Sequence, residues 1–266
     1  MHRALCLWIV GLAGIGATIL PVHAETILLR ADIWCPYNCV PDTAEEGYMI
    51  DVARRIFETA GHAVEYKTLN WARSIQMARE GRIHAIVGAG KDEVPEFVFP
   101  DQELGINRNT FFVRKGDSWQ YTGPDSLEGR RLGVILGYGY GPKIDAYIQR
   151  RQKSDAVQTM AGNHALENNI EKLLADRIDV VLEDYAVFRY ASQKMGVAER
   201  AAAAGDDRTR GEINHLFIAF SPSRPESELF ARLLSDGIEE MRHSGELADI
   251  MARYGLRDWR SEAPSR

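Results

Sequence analysis

Cysteine is scarce: the 266-residue chain has three. Cys6 lies in the first, apolar stretch, so only Cys35 and Cys39 remain beyond residue 24. No histidine stands at ligand spacing to those thiols, which argues against a zinc site. The seven histidines are scattered, and neither a Ser-His-Asp set nor a metal-ligand cluster stands out. The glycine-rich run Gly137-Tyr138-Gly139-Tyr140-Gly141 lacks the G-x-G-x-x-G spacing. A dinucleotide is therefore discounted, and no cofactor is expected. Basic residues are in deficit, 32 Lys and Arg against 38 Asp and Glu. A nucleic-acid partner would want a basic stripe, so that class is excluded. After residue 24 no run is apolar enough to span a bilayer.

What is present begins with a leader. Residues 1–24 combine Arg3, an apolar middle and Val22-x-Ala24 before Glu25. That pattern predicts a cleaved secretory signal and a periplasmic protein. No Cys follows the cleavage site, so no lipid anchor is expected. Loss of Arg3 would take the net charge from −6 to −7. In an oxidising compartment Cys35 and Cys39 are expected to pair, across a turn in which Pro36 suits the second position and Asn38 tolerates a left-handed backbone.

Hydrophobic periodicity then sets out an α/β chain. Ile27–Leu29 reads as a buried strand that stops at Asp32, followed by an aromatic loop and a helix opening at Gly47-Tyr48. A half-buried strand over residues 63–69 leads to a helix over 71–80 with Asn70 as its cap, and then to an apolar strand over 82–87. Residues 94–109 read as irregular. The pattern restarts: strands at 132–136, 157–160 and 178–182 alternate with helices after Pro142, Asn163 and Asp184. Alternation of this kind implies parallel strands with helical crossovers. Residues 198–211 read as a small, polar connector. A strand at 215–220 precedes one long helical stretch from Pro225 to Tyr254, with residues 259–266 as a frayed tail.

Ligands of open α/β sheets sit at the carboxyl ends of the strands. Asp32, Trp34 and Tyr37 are placed there, and Tyr48 and Trp71 are further aromatics near strand ends. Tyr138 and Tyr140 lie in a turn whose free N–H groups could hold an anion. Arg73, Lys91 and Arg108 are candidate anchors for an anionic group, Arg offering a fork and Lys a point charge. Asp184 ends a strand and starts a helix, which suits either a ligand contact or an N-cap.

Several stretches together resemble the periplasmic solute-binding proteins of family 3, the polar amino-acid receptors of ABC importers. They are the loop from Asp32 to Tyr37, GYMIDVARRIF, EGRIHAIVGAG (with His84 where Asp is usual), SLEGRRLGVILGYGYG, ADRIDVVLED and SGELADIMARYGL. The resemblance implies two lobes joined by two crossing strands, with a cleft for a small ligand between them. On that basis lobe one is 25–107 plus 214–266, including the C-terminal helix, and lobe two is 108–213. It implies that Asp184 meets the ligand's amino group, opposite Asp32. It also implies a monomer whose partner is an inner-membrane ABC permease, or a sensor domain instead. One departure is clear: GAGKDEVPEFVFP lacks the Arg that holds the α-carboxylate in that family. The expected function is a non-catalytic receptor. A second reading is an enzyme resembling cyclohexadienyl dehydratases, with Glu183 as a cleft acid.

Overall fold

The computed structural model describes residues 24–206 and 214–261. Residues 1–23 of the leader, residues 207–213 of the expected second crossing and the last five residues of the tail lie outside the described residues. Strand β1 (Thr26–Ala31) alternates, burying Ile27, Leu29 and Ala31. Helix α1 (Tyr48–Thr59) buries Tyr48, Met49, Val52, Ala53, Ile56 and Phe57 along one stripe. There follow β2 (Ala63–Thr68), α2 (Trp71–Arg79), β3 (Ala85–Ala89) and the short β4 (Gly105–Asn107). Next come β5 (Asn109–Arg114), β6 (Leu132–Ile135), α3 (Pro142–Arg151), β7 (Val157–Met160), α4 (Ala165–Leu174), β8 (Val180–Asp184), α5 (Tyr185–Lys194) and β9 (Ala201–Asp206). The chain closes with β10 (Asn214–Phe220), α6 (Ser227–Ser244) and α7 (Glu246–Arg253).

Two five-stranded mixed sheets result, ordered β2-β1-β3-β10-β4 and β7-β6-β8-β5-β9. Within each, the first strands are parallel and later ones antiparallel. Each sheet carries helices and forms one lobe of a two-lobed α/β fold. The lobe around the first sheet is sealed by aromatic edges. Phe57 meets Phe230 of α6 at 5.8 Å and Phe220 at 6.3 Å between ring centres. In the other lobe Phe112 stacks on Phe188 at 3.7 Å.

His84 has a structural explanation. It is buried, accepts from Leu28 N at 2.9 Å through Nδ1, and meets Glu25 through Nε2 at 2.8 Å. Arg224 lies against the same Glu25. The histidine thus ties the start of β1 to the loop before α6.

Five features differ from the sequence-based reading. Residues 201–206 form strand β9 rather than a connector. Its AAAAGD sequence carries no strand propensity, and pairing with β5 supplies the order instead. Residues 105–107, expected to be irregular, form β4 by pairing with β10. The long C-terminal helix is broken at Gly245, which adopts the left-handed backbone (φ 88°) between α6 and α7. Asn70 stands at the N-cap of α2 as expected, but its side chain makes no cap bond. The start of the tail is pinned rather than frayed, since Arg260 forks onto Glu103 with two 2.6 Å bonds and Trp259 bonds to the same carboxylate at 3.3 Å.

Candidate functional site

The loop after β1 projects from the carboxyl edge of the first sheet. The Cys35–Cys39 disulfide closes it, with Cα atoms 4.7 Å apart. Tyr37 stacks on Trp34 at 4.6 Å. Behind the loop, Gly47 sits at φ 106°, and a Cβ there would lie 2.5 Å from Asn38 Cα and Tyr37 O. Only glycine lets α1 start this close to the loop. A double Cys35→Ser, Cys39→Ser variant is expected to lose about 2 kcal/mol, the loop entropy of so short a bridge. Urea denaturation of the oxidised protein and this variant measures it, and equal midpoints would show the bridge to be energetically idle.

The second lobe meets this loop directly. Trp34 Nε1 donates to Glu183 Oε1 at 2.9 Å, and Tyr138 OH donates to Asp32 Oδ2 at 2.5 Å. Glu183 and Asp32 line a cavity of about 350 Å³ between the lobes. Trp34, Tyr138 and Tyr190 supply its rings, and Ile33, Leu166 and Met195 are among its apolar walls.

A second cavity, about 440 Å³, lies beside the crossing between β4 and β5. Tyr37, Tyr48, Arg108 and Asp184 line it. Asp184 is committed to the backbone there: Oδ1 accepts from Ala186 N and Val187 N at the start of α5, and Oδ2 accepts from Arg108 N at 2.7 Å. Tyr185 N returns a bond to Arg108 O at 3.0 Å. The β8–α5 junction is thereby tied to the crossing segment.

The expected site residues therefore fall into three groups. Asp32, Trp34 and Tyr138 meet in the cleft cavity. Tyr37, Tyr48, Arg108 and Asp184 meet at the crossing. The rest are engaged or placed elsewhere. Trp71 donates to Glu93 at 2.7 Å. Tyr140 is lobe-two core, its hydroxyl accepting from Ile135 N. Lys91 lies over the rings of Phe217 and Phe99, at 4.8 and 5.7 Å. Arg73 is exposed on α2 and lines neither cavity. The cavity also carries Glu183, which the sequence reading placed only as the acid of the enzyme reading. Its sequence neighbour Asp184 matched the motif, and nothing in the string says which of the two faces the cleft.

Burial dominates the electrostatics. It pushes the Glu183 carboxyl up to about 8 against the Trp34 hydrogen bond, which pulls the other way. Burial likewise raises Asp32 to about 6 against the Tyr138 bond, and Asp184 to about 6 against its backbone donors. Three acids crowd one interlobe region, and no arginine lines the cleft cavity.

Comparison with known proteins follows the same lines. A family model for bacterial extracellular solute-binding proteins, family 3, matches residues 28–257. The chain belongs to that family. A search of curated protein sequences finds no match. Among solved structures, this family-3 protein is similar to one described in a study of glutathione import by GshT and the cystine importer of Streptococcus mutans. That similarity has a TM-score of 0.71 at 13% identity, covering 87% of this chain and 95% of the other. It is similar to a Salmonella typhimurium periplasmic binding protein described for high arginine specificity, with a TM-score of 0.66 and 16% identity over 88% and 100% of the two chains. It is also similar to a histidine kinase sensor domain that itself resembles periplasmic binding proteins, with a TM-score of 0.67 and 19% identity over 86% and 95%. At these identities the structural likeness carries the fold: a periplasmic-binding-protein architecture with two lobes about a cleft.

Proposed function

We propose that this family-3 protein is a receptor that captures a small polar solute between its lobes and presents the closed form to an ABC permease. The observation that carries the reading is the cavity itself. One wall comes from the β1 loop (Asp32, Trp34) and the other from lobe two (Tyr138, Glu183), so a ligand there would bridge both. Lobe one is taken as 25–107 with 214–266 and lobe two as 108–213, so the β4–β5 crossing is one hinge segment. Export through residues 1–24 would place the receptor in the periplasm as a monomer. Among the described residues no helix is long and apolar enough to cross a membrane. The likeness to a kinase sensor domain supports a sensor as an alternative partner.

The test is a thermal-shift screen of amino acids, organic acids and amines, followed by small-angle scattering. A solute at 100 times its dissociation constant adds about 2.7 kcal/mol of apparent stability. It should also reduce the radius of gyration of any open population. A screen with no stabilising solute would overturn the receptor reading.

One observation favours a second reading, the dehydratase-like enzyme. Glu183 is buried in the cleft and held protonated near neutrality, as a general acid must be. Incubation with prephenate decides it: product formation that Glu183→Gln abolishes would make this protein an enzyme, and no turnover leaves the receptor.

A further inference from the structure

Glu183 is 1% exposed, and its two oxygens are treated unequally. Oε1 accepts from Trp34 Nε1 and from Asp184 N, at 2.9 and 2.8 Å. Oε2 is buried and has no hydrogen-bond partner, although Glu183 lines the cleft cavity. A buried carboxyl oxygen without a partner costs more than a typical hydrogen bond returns, so Oε2 points to a ligand group that pairs with it. The groups facing the cavity say what kind of ligand group fits. Asp32 at the end of β1 is a second acid. From α4 comes Glu167, from the residue before it His164, and from α5 Lys194. Lys194 is exposed at the rim, over the Tyr190 ring at 5.2 Å and 3.8 Å from Glu45. The rings of Trp34, Tyr138 and Tyr190 and the apolar side chains make up most of the remaining wall.

We infer that the solute is a small organic cation that carries no carboxylate: an ammonium or guanidinium head donating to Glu183 Oε2, on an apolar body held by the cavity's rings. This inference rests on the receptor reading. A cationic head would offset the acids and gain from the ring faces. A solute carboxylate would face Asp32 and Glu183 without a forked partner, because Arg73 is exposed on α2 and Lys91 lies against Phe217. Binding of the cation would hold Glu183 ionised, so its proton would leave as the solute enters.

Calorimetry on the mature protein tests this with pairs that differ only by the carboxylate: agmatine against arginine, cadaverine against lysine, and phenethylamine against phenylalanine. In at least one pair the amine should bind about tenfold or more tighter than its amino acid. The tightest amine should release close to one proton at neutral pH, read from buffers of different ionisation enthalpy. Glu183→Gln should lose about tenfold or more on that amine and release no proton. Tighter binding of the amino acids, or of a neutral or anionic solute from the wider screen, would overturn the inference and leave the receptor reading intact. A protein that binds no solute would overturn both. Amine binding unchanged in Glu183→Gln would also overturn the inference, and folding of that variant is checked independently by its melting curve.

Discussion

The stability of the unliganded protein relative to its Glu183→Gln variant is expected to fall as the pH rises from about 5.5 to about 8.5. Glu183 stands at about 8 because burial penalises its charge. An acid whose pKa is raised on folding binds its proton more tightly folded than unfolded. Its contribution is therefore present below the ordinary carboxylate pKa and is lost as the pH climbs through the folded value. At about 1.4 kcal/mol per pH unit, the difference should grow by roughly 3 kcal/mol across this range. Asp32 and Asp184, each near 6, act in the same direction at its lower end. His84 and Asp179 are among the groups that act in the other direction. His84 is pushed down by burial, so folding favours its neutral form and loses stability on the acid side. Asp179, lowered to about 2 by Arg131, contributes above the ordinary carboxylate pKa and is lost only in stronger acid. All four are common to wild type and variant, so the difference reports Glu183 together with its coupling to Asp32 and Asp184. Glutamine keeps an acceptor for Trp34 Nε1 and carries no charge. Opening of the lobes, as proposed above, would wet Glu183, and the cost of opening would then cap the loss. Urea midpoints of both proteins across the range measure the effect, and parallel curves would show that Glu183 is not held in a water-poor site.

Trp34→Ala is expected to be the most damaging single change in the cleft. The indole is 8% exposed and stacks on Tyr37. It also donates to Glu183 across the lobes and packs beside Gly88, where a Cβ would come within 3.4 Å of the ring. Truncating a buried Trp to Ala costs about 3–5 kcal/mol through lost transfer energy and the cavity left behind. For a chain of this size that corresponds to a fall in melting temperature of roughly 10 °C. The loss of the donor also leaves Glu183 Oε1 with Asp184 N alone, so affinity for any cleft solute should fall with stability. Arg73→Ala is the control on the same lobe: an exposed helix residue should shift stability by no more than about 0.5 kcal/mol. If Trp34→Ala melts within a degree or two of wild type, the loop is not packed as described.

The order of elements was written in the sequence because local periodicity writes it. The alternation in TILLRA, the apolar stripe of YMIDVARRIF and Pro142 at the start of α3 each depend on residues within a few positions of one another. The family motifs, and the pairing of two cysteines four residues apart, are equally local. Strand β9 was not legible, because its alanines have no preference of their own and are ordered by β5, which lies some 90 positions earlier. Nor was the placement of the charges. Arg73 reads as a ligand anchor in the string, but the turn of α2 leaves it in solvent. Glu183 and Asp184 differ least in sequence and most in role. Successive side chains of a strand point to opposite sides, and β8 ends on this pair. Which of them enters the cleft depends on where α5 needs its cap and where the β4–β5 crossing offers Arg108 N, contacts made by distant segments. Periodicity determined a doubled α/β chain, and the family motifs implied its two lobes. Only the docking of the lobes decided which carboxyl is left facing the cavity without a partner.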